Sequence, residues 1–400
     1  MSRHWFLCLI TLCTGASSAR AEELLTLPRV IELARTRAPD PALARARVDE
    51  ARAALVGARR LATRNPVIEA DVGPRWSDGR STDAQTTLAL PLDLGGRRAK
   101  RIAVVNAEVE RERLDARNVE RMTIAAAVAG YFQVLHAEKL LALAEERVRL
   151  AEAAETTARQ RAKAGDVAEF EVNLARGEVA RARSGVISAR ADHARERARL
   201  GAVLGIPSVS VTGDLADRKP LEIAGAIRER PDLRALAQEV EVARAETVVA
   251  RAERWPSLDL RFTYEHERDA EIVLGGIAIA LPLFERGQGD VARAAARGKR
   301  AQLELSTRTS VATAQADSAR DTYAAAVAAV QILAKEAVPL SIENETAAAA
   351  SYRAGKIELG TLLVIRREAL DTRRDHLDRL LEAAIAAVDL WIARGATSIR

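Results

Sequence analysis

The chain carries the same landmarks twice, about 190 residues apart, and this repetition limits the possible folds more than any other feature. Asp40-Pro41-Ala42-Leu43 returns as Arg230-Pro231-Asp232-Leu233, and Arg64-Asn65-Pro66 returns as Arg254-Trp255-Pro256. Leu90-Pro91-Leu92 returns as Leu281-Pro282-Leu283; Gly95-Gly96 follows the first, Gly287 and Gly289 the second. Tyr131 matches Tyr323, and Ala164-Gly165 matches Ala354-Gly355. A period this long marks a duplicated, domain-sized half rather than a solenoid unit. Repeat one reads as about 28–213 and repeat two as about 222–395. The stretch from Gly205 to Pro220, rich in Gly, Pro, Ser and Asp, is the linker between them.

Each half predicts the same order: a helix, two strands, a very long helix, a Gly break and a return helix. The first helix is expected over roughly 28–63. The stretch 97–163 has no Pro and a single Gly, Gly130. At about 1.5 Å per residue it would reach ~100 Å, too long for a compact globule. In the return helix Val172, Ala175, Val179, Ala182, Val186 and Ala189 alternate three and four apart, and Leu200 and Val203 continue the register past His193 and Glu196. That 3.5-residue repeat drives left-handed supercoiling. Leu363, Leu370, Leu377, Ala384 and Trp391 fall every seventh residue in the second half. Composition agrees: 48% hydrophobic but only 3% aromatic, so the apolar content is Ala, Val, Leu and Ile. The expected fold is mainly α with a small β part.

The strands alternate. Leu258, Leu260, Phe262 and Tyr264 share one face, and Asp259, Arg261, Thr263 and Glu265 the other. Ile277, Ile279, Leu281 and Leu283 alternate with Gly276, Ala278 and Ala280. Ile68, Ala70 and Val72 alternate with Glu69 and Asp71, and Leu88, Leu90 and Leu92 follow. Trp76, Trp255 and Tyr264 stand near strand ends, where interfacial aromatics belong. Glu69, Asp71, Asp259, Arg261 and Glu265 suit a wet barrel lumen. Four strands cannot close a membrane barrel, because spanning barrels need about eight or more strands and lipid tolerates no open edge. Transmembrane strands here would therefore demand several copies of the chain.

Residues 1–21 read as a secretory signal: Arg3 and His4, an apolar run from Trp5 to Cys13, then Ala19-Arg20-Ala21. Cleavage before Glu22 would remove both cysteines, Cys8 and Cys13, and leave 22–400 as one protomer without a thiol. Leu12 before Cys13 argues for plain cleavage over lipidation. No later stretch reaches ~18 uncharged apolar residues, so no membrane-spanning helix is expected. The formal charge is +5, carried by 61 basic residues of which seven are Lys, with acids interspersed. Without a basic run or a basic-aromatic strip, nucleic acid is not an expected partner.

Catalysis and cofactors have no sequence support. His4, His136, His193, His266 and His376 are neither paired four apart nor backed by a carboxylate motif. No P-loop, nucleotide-binding turn or nucleophile elbow occurs. Without clustered His or Cys, no metal site is expected.

The ordered motifs resemble those of the outer-membrane efflux protein (TolC-like) family over nearly the whole mature chain. They are Asn65-Pro66, Leu90-Pro91-Leu92-Asp93-Leu94-Gly95-Gly96-Arg97, Gly213-Asp214-Leu215 with Arg230-Pro231-Asp232-Leu233, and Leu281-Pro282-Leu283-Phe284-Glu285-Arg286-Gly287-Gln288-Gly289. The Leu-Asp-Leu-Gly-Gly-Arg form and the short chain are most similar to the cobalt-zinc-cadmium resistance branch. The resemblance implies a homotrimer: a twelve-stranded outer-membrane β-barrel, four strands per chain, continued by a periplasmic α-barrel tunnel. It implies an exit duct of a tripartite pump, with a periplasmic adaptor and a proton-driven inner-membrane transporter as partners. The cargo would be heavy-metal cations, or drugs and small organic molecules. The matching turns of the family meet the adaptor, which places docking at Gly165, Asp166, Val167, Gly355, Lys356, Ile357 and Leu359. The family's acidic tip positions are here Thr361 and Val364, with Glu171 and Leu174 in the first half, so an acidic gate is in doubt. The rival reading is a secreted periplasmic coiled-coil structural or adaptor protein with small hairpins, soluble where a duct would need detergent.

Overall fold

The computed structural model describes residues 24–62, 64–77, 79–93, 95–207, 209–216, 226–268 and 270–395. The signal sequence with its cleavage site, Leu94 and most of the linker after Ala216 lie outside the described residues.

Two rods run through the chain. The first is α3, Arg97–Ala164, an unbroken 68-residue helix of ~100 Å. The second is α6, Gln288–Ile332, continued through a π turn, Leu333–Ala337, into α7, Val338–Arg353. Pro339 accounts for the interruption, because a helical proline removes an N–H and crowds the preceding turn. The Val338 N–H reaches back five residues to the Leu333 carbonyl.

Shorter helices flank the rods. On the sheet side these are α2, Pro39–Ala58, and α5, Pro231–Ala252; at the far end they are α4, Glu169–Leu204, and α8, Leu359–Arg394. The expected single helix over 28–63 is two: α1, Leu27–Thr36, and then α2. Pro39 explains the break. A residue before proline avoids the helical region, and Ala38 lies at φ −57°, ψ 139°.

All four long strands form one antiparallel sheet in the order β2-β3-β5-β6: β2 Val67–Ser77, β3 Gly79–Leu92, β5 Ser257–Glu267 and β6 Ala270–Ala280. The alternation expected to reach Leu283 leaves the sheet at Ala280. Two residue pairs, β1 Leu24–Leu25 and β4 Ser210–Val211, make a small parallel sheet at mid-height.

The main core lies at that mid-height. Val30 and Leu33 of α1, Ile124, Val128 and Leu135 of α3, Leu200 and Leu204 of α4, and Trp391 of α8 are buried together. Gly130 lets α4 approach, since a Cβ there would stand 3.2 Å from Leu200 Cδ1. The Arg230-Pro231-Asp232 motif has a physical role here. Pro231 opens α5, Arg230 pairs with Asp232 at 2.8 Å, and its guanidinium donates to the Ala393 carbonyl near the end of α8. Buried Arg121 donates to the next exposed carbonyl, Ile392 O, at 2.7 Å. Two guanidiniums thus bind carbonyls of the last turn of α8: Arg230 at Ala393 O, and Arg121 at Ile392 O beside the Gly395 N–H that already caps it.

No stretch of ~18 uncharged apolar residues occurs, but the helical run Gln288–Arg353 contains an 18-residue window that is long and apolar enough, by length and composition alone, to cross a membrane. Only 11% of that window is buried. It belongs to the second rod, so its apolar surface is left uncovered within one chain.

Candidate lumen wall and helical tip

The sheet register puts all five expected lumen residues on one face. Glu69 lies opposite Thr87, and Thr87 opposite Thr263; Asp71 lies opposite Gln85, and Gln85 opposite Glu265. Ala89 aligns with Arg261 and Pro91 with Asp259. Side chains link across this face: Thr87 Oγ1 to Thr263 Oγ1 at 3.0 Å, and Arg75 to Asp83 at 2.7 Å and Glu267 at 2.9 Å. Arg64 pairs with Asp259 at 2.6 Å. The opposite face carries Ile68, Val72, Leu88, Leu90, Leu258, Leu260, Phe262, Ile277 and Ile279. The Arg75–Asp83–Glu267 bridge was missed at the sequence level, although the period of two puts these residues in the rows of Asp71 and Glu265.

Below the sheet the helices keep the strand order, with α2 against α3, α3 against α5, and α5 against α6. All four line one open cavity of about 580 Å³, its floor made by Ala54, Val104, Val249 and Ala294. Its rim is charged: Arg297 bridges Glu239 at 2.9 Å and Glu246 at 2.8 Å, and Arg111 reaches Glu239 at 3.4 Å. Hydrogen bonding from the Arg111 guanidinium outweighs burial and holds the Glu108 carboxyl below its usual range.

At the opposite end the two tip turns are built alike. Gly165 and Gly355 take left-handed conformations, φ 85° and 71°. Asp166 N–H donates to Arg161 O and Gly165 N–H to Ala162 O; Lys356 N–H donates to Ser351 O and Gly355 N–H to Tyr352 O. These are paired Schellman caps, the way a helix satisfies its last carbonyls before a glycine. Arg161 lies over the Tyr352 ring, 5.1 Å from its centroid, so the structure brings the two turns together.

Gly165, Asp166, Gly355 and Lys356 are exposed, while Val167 and Ile357 are half-buried. Leu359 differs from the expectation of an exposed contact: it is 0% exposed, packed with Ala158, Val172, Tyr352 and Leu362. As the first residue of α8 it anchors the tip from inside. The exposed apolar side chains there are Phe170 (69%), Val364 (67%) and Leu174. Thr361 is exposed, and half-buried Glu171 stands near Tyr352, whose phenol is pushed up by burial first and by the Glu171 charge second.

Between tip and core, ion pairs join the helices. Arg147 of α3 meets Glu178 of α4 at 2.6 Å, and Arg373 of α8 meets Glu146 of α3 at 2.8 Å and Glu345 of α7 at 3.2 Å. His136, which no carboxylate motif accompanies in the sequence, meets a carboxylate across the fold: its Nε2 lies 2.7 Å from Asp378 Oδ1, 242 residues away. Among the described residues no group of three or more His, Cys, Asp or Glu converges to hold a metal.

The chain is 26% identical to the cobalt-zinc-cadmium resistance protein CzcC of Cupriavidus metallidurans, covering 82% of this chain and 80% of that one. It is 25% identical to the pyoverdine export outer membrane protein OpmQ of Pseudomonas putida, covering 92% and 85%. Its fold is similar to the crystal structure of CusC, with TM-score 0.77, 19% identity and 92% of both chains covered. The outer membrane efflux protein family matches residues 30–206 and 223–396, so this chain, with its alternating sheet and ~100 Å rods, belongs to that family of channels and resides in the outer membrane, reaching into the periplasm.

Proposed function

We propose that three copies assemble into the exit duct of a tripartite efflux pump. Twelve strands would line the outer-membrane passage, and the rods would enclose a periplasmic tunnel. The observation that carries this reading is the four-stranded sheet with one apolar and one charged face and two unpaired edges, β2 and β6. In hydrocarbon such edges must pair, and other copies of the same sheet are the natural partners. The sparsely buried apolar window on the second rod supports the same assembly. The shared element order of the two halves, each matched separately by the family, supports a duplicated unit.

The duct conducts passively, with no catalytic step and no cofactor. Its partners are a periplasmic adaptor, docking at the tip around Gly165 and Gly355, and a proton-driven inner-membrane transporter. With Thr361 and Val364 at the tip, closure rests on apolar contact or on charges elsewhere at the tip rather than on a carboxylate ring at these positions. For cargo we favour heavy-metal cations, in line with the name of the Cupriavidus relative; the Pseudomonas relative keeps small organic molecules as the second reading. The soluble coiled-coil alternative gives way to the outer-membrane placement.

Mass measurement of the detergent-extracted protein, with conductance in planar bilayers, tests the assembly. A trimer with stable conductance is expected; a monodisperse monomer with intact β signal would refute it. Growth of deletion strains on zinc, cobalt and cadmium, against siderophores and dyes, decides the cargo.

A further inference from the structure

At the foot of the sheet the structure gathers arginines that no carboxylate within the described chain neutralises. Helices α2 and α5 end there, each delivering the chain to a strand. The first turns of α3 hold both ends at one level. Arg98 Nε donates to Arg59 O at 2.9 Å and Arg101 to Arg60 O at 3.1 Å, while Arg97 donates to Ala252 O at 3.2 Å and to Trp255 O. The side chains of Arg59, Arg60, Arg251 and Arg254 are all exposed, and none has an ion-pair partner among the described residues. The acids at this level are Asp93, Glu253, Asp259, Glu285 and Asp290: Asp93 is held by Arg101 at 2.9 Å and Asp259 by Arg64 at 2.6 Å, while exposed Glu253 stands between Arg251 and Arg254 in sequence and leaves the four arginines in excess. Glu285 accepts from Gly287 N–H at 2.9 Å, and Asp290 is paired with Arg293.

Large apolar side chains crowd the same level. Leu61 and Trp255 are exposed just before β2 and β5, and Leu281, Leu283 and Phe284 (90%) just after β6. Eleven-residue strands tilted by ~45° span about the height of a hydrocarbon layer. The strand feet therefore fall at a headgroup layer, and because the rods leave from this end, that layer is the periplasmic leaflet. Guanidiniums match phosphate oxygens in geometry and charge, and basic residues at a membrane surface draw anionic lipids.

We propose that Arg59, Arg60, Arg251 and Arg254 form a collar that binds anionic phospholipid headgroups of the periplasmic leaflet, with acyl chains lying along Trp255, Leu281 and Phe284. The proposal rests on the outer-membrane placement of the sheet, not on the pump assembly.

Native mass spectrometry of the full-length protein tests it, with phosphatidylglycerol and phosphatidylcholine of matched chains. Phosphatidylglycerol is expected to occupy the protein at about tenfold lower concentration, with the preference shrinking as salt rises. The variant Arg59→Gln/Arg60→Gln/Arg251→Gln/Arg254→Gln should lose the preference, and Arg300→Gln/Arg308→Gln, on the exposed rod, should keep it. Equal binding of the two lipids by the unaltered protein overturns the collar, whether or not the fourfold variant folds. A preference retained by the folded fourfold variant overturns it equally, as does selective binding of lipopolysaccharide in place of phosphatidylglycerol.

Discussion

Substitution of the tip glycines separates helix capping from partner docking. A Cβ added at Gly165 would meet nothing within 4 Å, and at Gly355 the nearest neighbour would be Arg161 Nη2 at 3.8 Å. Space is therefore not the constraint, and the cost lies in the backbone. A side chain forced into the left-handed region costs roughly 1–2 kcal/mol, and Asn tolerates it better than most residues. Beneath the turns Tyr352, Leu359 and Leu362 are fully buried. Each contributes roughly 1.5–3 kcal/mol of apolar burial, enough to hold the tip against one strained residue. Gly165→Asn and Gly355→Asn should insert, resist protease and pump like the unaltered protein. Gly165→Trp and Gly355→Trp should also insert and resist protease, but project bulk where a partner would sit. We expect them to lower efflux-dependent resistance tenfold or more in cells expressing the cognate adaptor and transporter. If both Trp variants pump at full rate, the tip is not the docking surface. If the Asn variants fail to insert, the glycines matter as caps to a degree this reasoning does not allow.

Three further outcomes follow from the geometry. Phe262→Arg, on the apolar sheet face, should cost about 2–4 kcal/mol of barrel stability in a bilayer, whereas Thr263→Arg next to it should cost far less, as urea unfolding in lipid vesicles would show. Trp391→Ala empties the mid-height core of its largest buried side chain and should cost about 3–5 kcal/mol, read from the denaturant midpoint. At Glu178 burial raises the carboxyl pKa, but the hydrogen bonds from Arg147 and Arg181 outweigh it and the net shift is downward. Its contribution is therefore present above the unfolded value of about 4.3 and is lost as pH falls through the lower folded value. Glu178→Gln should be less stable by about 1 kcal/mol at pH 7, with the difference shrinking in thermal unfolding as pH falls below about 4.3; equal stability at pH 7 would show that the pair contributes nothing.

Much of this architecture was legible because it rests on local rules. The absence of proline from 97–163 foretold α3 almost to the residue, and strand parity placed Glu69, Asp71, Asp259, Arg261 and Glu265 on one face before any register was known. The break at Ala38 was missed by the expectation of one helix over 28–63, although Pro39 disfavours the helical region at the residue before it. What stayed hidden depends on distant partners. Nothing near His136 announces Asp378, and nothing near Arg230 announces the end of α8. Leu359 sits beside a tip glycine, where exposure is the simple expectation; it is buried because Tyr352 and Val172 converge on it from two other helices.

The order of strands and the order of helices together say how copies would close. Strands run β2-β3-β5-β6, and the helices beneath them run α2-α3-α5-α6, each helix under the strand it joins. The free edges of both layers therefore lie on the same two flanks of the chain. A neighbour that offers β6 to β2 also brings its α6 toward α2, so a single rotation satisfies the open ladder in lipid and covers the Ala-rich rod in water. Such a contact uses two different surfaces and must close into a ring or run on as a fibre. Strand tilt and register stagger make the difference, because a sheet closes on its own first edge only where both match the number of strands.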